Sequence, residues 1–338
     1  MTPAIASSTA PAPSPAFAPV SYFAYSLHHT VFPTLPSVET FDIATIGLII
    51  CFVFLSLISL SFILHLRIKS RHSTKLQRFS SHWTARFLMI ILILLWSLNE
   101  LLRLPILRKG YLFPFLPTFS LSSQTTFCQF HLVLSFGLFE PGFLVTLLFL
   151  VNISVNKRSP SNLWAIGFVG LTCLPLFVAI YFAVFILPGK FRVLAPAVYR
   201  YSVLMEDKIS GERVLYCTYP FIGTVIFAVF GVVYSLAFLV SCWKVVSLAI
   251  NKRIGARVNM LALTVIVCLS VQVVLLSTSV FWDPVDAWYY VFVFINFASV
   301  LTFGAMSQGI LVIKPVTDTL GVESVPRRDG RCLGDESV

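Results

Sequence analysis

The chain has 338 residues, of which 57% are apolar and only 11% charged, against about a quarter charged in a soluble domain. A soluble fold of this length cannot hide that much apolar surface, so the partner implied by composition is the lipid bilayer. The formal charge of +10 does not point to nucleic acid, because the basic residues stand in short blocks without the interleaved aromatics that stack bases.

Residues 1–40 contain no Lys or Arg and are rich in Ala, Ser and Pro, including Pro11, Pro13, Pro15 and Pro19. No basic segment precedes an apolar one, so no cleavable signal peptide is expected. The lack of Arg also argues against a mitochondrial leader. Such a tail buries too little surface to fold and is predicted to be a disordered extracellular segment, as residues 315–338 are predicted to be a disordered cytosolic one.

Between the tails, residues 41–314 are predicted to form an all-α membrane domain, a seven-helix bundle with its N-terminus outside and its C-terminus in the cytosol. The spans are expected at residues 43–66, 87–107, 130–154, 163–187, 220–243, 259–282 and 288–313. Six contain the roughly 20 apolar residues that cross the hydrocarbon core. The second is interrupted by Glu100 and Arg103, and charge counting decides its status. With seven spans, sixteen of the 24 Lys and Arg residues lie on the cytosolic side, among them Arg67, Lys69, Lys157, Arg158, Lys252 and Arg253. This is the distribution expected from the positive-inside rule. If residues 87–107 dipped in and returned, that excess would vanish. Trp83, Trp164 and Trp243 then sit near inner ends, and Tyr219, Trp282 and Trp288 near outer ends, where amphipathic rings prefer to lie.

Of seven cysteines, only Cys128 and Cys217 are expected outside. Cys128 is expected just before the third span and Cys217 late in the long 188–219 loop. An oxidising compartment favours a disulfide between them, which would pin that loop across the outer mouth of the bundle. The sequon Asn152-Ile153-Ser154 falls at an inner helix end, where it is expected to go unused. Cys332 beside Arg331 is a weak candidate for palmitoylation.

Polar groups at membrane depth are costly and face the bundle interior. Asn99, Glu100 and Arg103 share one broad helical face in the second span. Glu140 lies about 15 Å below the outer end of the third span by helical rise. A cluster of Glu100, Arg103 and Glu140 is geometrically open, with Gln272 and Asn296 as further polar-core or ligand candidates. Pro141 directly follows Glu140 and is expected to kink the helix and free a carbonyl. Glu140 could therefore bias two helix packings by protonation or by pairing with Arg103, or act as a static interhelical anchor. Thr224, Ala228, Gly231 and Ser235 read as a packing seam, and Gly304, Gln308 and Gly309 as allowing close approach. Lys157, Arg158, Lys252 and Arg253 read as inner anchors or a docking face for a cytosolic partner.

No cofactor or metal is expected. The histidines, His28, His29, His65, His72, His82 and His131, form no paired ligand motif. No Lys lies within the last span, as a retinal Schiff base would need. Nucleophile elbows and phosphate-binding glycine loops are missing, so a membrane enzyme is not expected. A repeat-built transporter would need matching loops in the two halves. The 108–129 and 283–287 connections differ too much in length.

Seven spans, an outer N-terminus and the Cys128/Cys217 pair resemble the plan of heptahelical G-protein-coupled receptors. The strings Trp96–Arg108 (WSLNELLRLPILR) and Phe294–Val312 (FINFASVLTFGAMSQGILV) resemble the plant seven-transmembrane proteins proposed as candidate receptors of that type. This resemblance implies signalling of an extracellular ligand to a cytosolic signalling protein, from the plasma membrane or an endomembrane. The Asp-Arg-Tyr, Cys-Trp-x-Pro and Asn-Pro-x-x-Tyr motifs of the rhodopsin-like class are missing, so no residue indicates G-protein coupling. The competing readings are a transporter or channel relaying ions through the acid/Arg cluster, and a scaffold or trafficking factor recruiting partners through its basic loops.

Overall fold

A computed structural model describes residues 38–70, 83–104, 121–155, 162–188, 200–206, 213–248, 252–282, 284 and 286–314. Of the tails predicted to be disordered, residues 1–37 and 315–338, and with them Cys332, lie outside the described residues, as do Lys157, Arg158 and the side chain of Arg253, whereas Val38, Glu39 and Thr40, counted with the tail, are helical. The helices are α1 (Val38–Ser70), α2 (Trp83–Glu100), α3 (Leu121–Leu134), α4 (Glu140–Val155), α5 (Asn162–Tyr181), α6 (Phe221–Leu248), α7 (Lys252–Ser279) and α8 (Ala287–Gln308). A π-helical turn, Ser135–Phe139, joins α3 to α4 as one continuous rod, and similar turns, Phe182–Ile186 and Gly309–Ile313, extend α5 and α8. Seven of the resulting helices are long and apolar enough to cross a membrane. The chain is a multi-pass membrane protein.

Several boundaries differ from the sequence expectation: the fifth span runs on to Leu248, the sixth begins at Lys252, and three others bear on the site. The first helix begins at Val38, five residues ahead of the expected span. The third begins at Leu121, so Cys128 lies inside the helix rather than just before it. The second begins at Trp83, and its helical winding ends in a 3-10 turn at Arg103. Leu104 is extended there (φ −68°, ψ 125°), because the ring of the following Pro105 disfavours helical geometry at its predecessor.

Neighbouring spans close into a ring in the order one, two, three, five, six, seven and back to one, with the fourth packed against the third. The third span is 78% buried, whereas the other six range from 28% to 44%. It is the most enclosed helix of the bundle, and most of its side chains are surrounded by protein. Gly137 permits the closest approach to it, since a Cβ there would stand 3.1 Å from the Phe177 Cα of the fourth span. Gly304 similarly lets the seventh span meet Ile93 and Phe52, and Gly231 faces Leu269 and Val273 across the expected seam. Gly309 has no such neighbour. The close approach expected there is not made.

The 188–219 connection carries a hairpin that the sequence did not suggest. Strands β1 (Ser202–Glu206) and β2 (Arg213–Cys217) pair antiparallel, with Ser202 opposite Cys217 and Glu206 opposite Arg213. A Cys128–Cys217 disulfide, with Cα atoms 5.4 Å apart, ties the hairpin to the third span. The Tyr289 hydroxyl donates to the Cys217 carbonyl at 3.0 Å and ties it to the seventh. The hairpin thus bridges one end of the ring, called here the disulfide end.

Candidate functional site

Beneath the hairpin, a small cleft of about 30 Å³ opens among the first, second and seventh spans. That volume suits one or two waters or the head of a small group. Asp42, Arg103, Tyr216, Tyr289 and Tyr290 supply its polar lining, with Phe41 and Phe294 as aromatic walls. Asp42 is only 7% exposed. Its place at the boundary between the expected tail and the first span gives it no signal as a polar group at depth in the sequence. Tyr219, just ahead of the fifth span, is buried close by, and burial pushes its phenol well above the ordinary value while the positive charge of Arg103 opposes the rise. It therefore stays a neutral hydroxyl.

Below the cleft, Arg103 Nε donates to Glu100 Oε2 at 3.1 Å, one turn apart on the second span. The other oxygen, Oε1, lies 3.8 Å from His131 Nε2 on the third span. His131 Nδ1 stands 3.0 Å from the Asn99 carbonyl oxygen, an atom that can only accept. Asn99 Nδ2, which can only donate, stands 3.1 Å from the same Nδ1, so that nitrogen has both a donor and an acceptor within reach and Nε2 faces Glu100. Asn99 Nδ2 donates to the His131 carbonyl at 3.1 Å, so the two residues clasp the second and third spans together. His131 is fully buried.

One turn deeper stands Glu140, 2% exposed. The Trp96 indole N–H (2.8 Å) and the Ser135 hydroxyl (2.9 Å) donate to its Oε1, and Gln272 Nε2 donates to its Oε2 at 2.5 Å. Trp96 Nε1 also approaches Ser135 Oγ at 3.1 Å, and its ring stacks on Phe297 of the seventh span with centroids 5.6 Å apart. Glu140 is thus a hub joining the second, third and sixth spans. The reason for its placement is local. Pro141 has no N–H to give the Gly137 carbonyl and its ring would clash there. The preceding turn widens, and the Glu140 N–H bonds to the Ser135 carbonyl five residues back. The kink expected at Pro141 therefore takes the form of a π turn ahead of it.

The structure brings Asn99, Glu100 and Arg103 together as expected from their spacing, and joins Gln272 to Glu140. It does not place Arg103 on Glu140. The hydrogen-bond partners of Glu140 are neutral, and Arg103 bonds to Glu100 instead, higher in the bundle. Asn296 is buried on the seventh span, and its Oδ1 makes no hydrogen bond. Lys252 is exposed at the opposite end.

Trp96, Ser135 and His131 were not singled out from sequence. Trp96 could have been. It lies three and four residues before Asn99 and Glu100, on their face and far from any helix end where an aromatic belt would sit. Beyond Glu140 the bundle turns apolar. Phe143, Leu144 and Leu147 are fully buried, with the Phe143 and Phe303 rings 5.5 Å apart and Met89 and Ile93 alongside. Near the opposite end, Gln308 Nε2 donates to Ser56 Oγ at 3.0 Å, and Ser59 Oγ donates to Gln308 Oε1 at 3.3 Å, locking the first span to the seventh.

Among the described residues, no group of three or more His, Cys, Asp or Glu converges as metal ligands would. The family described as "Uncharacterised conserved protein UCP031277" matches residues 33–329, a stretch that takes in all seven spans and the hairpin. No curated protein matches the chain.

Proposed function

The chain belongs to that family, and from its geometry we propose that it is a heptahelical receptor-like protein of the plasma membrane or an endomembrane. Its disulfide end faces outside or the lumen, and its basic loops face the cytosol. A ligand enters under the hairpin at the Asp42–Arg103 cleft. The response passes along the second and third spans to Glu140, whose bond to Gln272 latches the sixth span. Release of that latch changes the cytosolic surface near Lys252 and Arg253, where a signalling protein docks. The observation that carries this reading is the Glu140 hub, a buried carboxyl joining three spans beside a π turn. Buried ionisable groups of this kind mark functional elements in membrane bundles, and π turns recur where helices rearrange. The likeness of Trp96–Arg108 and Phe294–Val312 to plant candidate receptors supports the same reading.

The competing reading is a transporter or channel, favoured by the polar column from Arg103 to Glu140. Vesicles containing only this protein separate the two. The receptor reading expects no solute or ion flux above protein-free vesicles. It also expects capture of cytosolic partners that Glu140→Gln alters by several-fold without loss of folding. Flux abolished by Glu140→Gln would establish transport. Partner capture unchanged by substitution of Glu100, Arg103 and Glu140 would establish a scaffold.

A further inference from the structure

Two buried acceptors at the depth of Glu140 make no hydrogen bond: Gln272 Oε1 and Asn296 Oδ1. Gln272 is fully buried and Asn296 is 6% exposed. Their relative position follows from the register of the last two spans. The Ser299 hydroxyl donates to the Cys268 carbonyl at 3.0 Å. Moving one turn from that bond toward the disulfide end reaches Asn296 on one helix and Gln272 on the other. A buried acceptor without a donor is costly, and two at one level of adjoining spans, one of them on the amide that bonds Glu140, need a common explanation.

We propose that Glu140 is a proton-binding site, reached only from the disulfide end, and that its protonation turns the Gln272 amide to join the sixth span to the seventh. With Glu140 ionised, Gln272 Nε2 donates to Oε2 and its own oxygen goes unserved. Adding one proton to Oε2 removes that acceptor and creates an O–H donor. A half-turn of the amide then lets Gln272 Oε1 accept from the new O–H, while Nε2 swings to Asn296 Oδ1. Both orphaned acceptors are satisfied by a single proton and one rotation. Trp96 and Ser135 keep their bonds to Oε1, a carbonyl oxygen in the acid, so the second and third spans stay fixed while the contact between the last two changes.

The route for the proton is also in place. Glu100 lies under the cleft with Arg103, and His131 Nε2 faces it at 3.8 Å. From His131 to Ser135 is one helical turn along the third span, a rise of about 6 Å, and Ser135 touches Glu140. Chains of carboxylates and histidines of this kind carry protons through membrane bundles. Toward the opposite end, the layer of Phe143, Leu144, Leu147 and Phe303 holds no titratable side chain, and the one hydroxyl among these positions of the third span, on Thr146, is committed to the Gly142 carbonyl of its own helix. The other titratable or charged groups on the spans packed around Glu140 are Glu100, Arg103 and the distant Arg86 on the second span, and Cys173 on the fourth. The fourth also carries Tyr181; the fifth contributes Tyr234, Tyr219 at its head and, at the opposite end, Cys242 and Lys244; Cys268 and, at the opposite end, Lys252 and Arg257 lie on the sixth, and Tyr289 and Tyr290 on the seventh. None of them hydrogen-bonds Glu140.

The site is that of the receptor reading, but its protonation can be read without partner or flux. The full chain is reconstituted in vesicles of neutral phospholipid, and the carboxylic C=O stretch is followed by infrared difference spectroscopy while the pH on each side is varied. The expected result is a band that appears on acidification at the disulfide end alone. It should vanish in Glu140→Gln and shift in frequency in Glu140→Asp, which keeps an acid should the amide variant misfold. An amide C=O change should accompany it and be lost in Gln272→Met. His131→Gln should slow its appearance at least ten-fold without removing it. No band sensitive to residue 140 between mildly acidic and mildly alkaline pH would overturn the site. Equal response to the opposite side, or an unchanged rate in His131→Gln, would overturn the access route. A band that survives with no change in partner capture would refute the receptor reading and leave the proton site standing.

Discussion

A single indole illustrates how the polar column is held. Trp96 is 1% exposed and gives its only donor to Glu140 at 2.8 Å, while its ring lies on Phe297. Hydrogen bonds to an ionised partner contribute about 1.5–3 kcal/mol. Trp96→Phe keeps most of the stacking and removes the donor, so it should lower stability by about that range, read as a lower unfolding temperature in detergent. The deficit should shrink when combined with Glu140→Gln, because the bond then has no charge to serve. Additive losses in the double variant would show that Trp96 acts by packing alone. The residues of this column were partly legible in the sequence. Asn99, Glu100, Arg103, Glu140, Gln272 and Asn296 stand out because polar groups are rare and costly in apolar runs. Their partners were not all legible, because Ser135 and Trp96 are ordinary membrane residues until the fold brings them to a carboxylate.

At the level of the helix, Pro141 and the glycines around it set the geometry of the third span. The π turn ahead of Pro141 brings the Gly137 backbone against the fourth span, where an added Cβ would meet the Phe177 Cα at 3.1 Å. Main-chain atoms cannot step aside as a side chain can. Gly137→Ala should therefore destabilise by about 1–3 kcal/mol, the usual cost of overpacking. Gly170 on the fourth span has nothing within 4 Å of a Cβ, so Gly170→Ala should be neutral or stabilise by up to about 1 kcal/mol through helix propensity. Thermal unfolding of the pair of variants checks both signs. The sequence suggested a kink at Glu140–Pro141 and small-residue contacts nearby. It did not reveal that the kink would be a widened turn, since a proline within a helix is met either by a broken turn or by a widened one.

Across the whole molecule, the hairpin and its disulfide hold the end of the ring. The bond links positions 89 residues apart, and a loop of this size stabilises by about 2–4 kcal/mol through constraint of the unfolded chain. Reduction, or Cys128→Ala with Cys217→Ala, should lower the unfolding temperature. It should also increase hydrogen exchange at Ser202–Glu206 and Arg213–Cys217 while leaving Glu140–Val155 protected. Loss of protection throughout would mean the disulfide holds the helices as well as the cap.

By itself the sequence determined the seven helices, the cysteine pair and which polar residues lie at depth. The helices and the polar residues at depth follow from free-energy costs set residue by residue: apolar length against bilayer thickness, and charge against the low dielectric. Only the tertiary structure decided who meets whom. The second span, interrupted by Glu100 and Arg103, places those charges on a cleft and on His131 rather than on Glu140. Glu140 takes neutral donors from three helices instead. The reason is rotational. Run length and charge fix that a helix crosses and at what depth, but which face turns toward which neighbour emerges only when all seven helices, the hairpin and the π turn pack together.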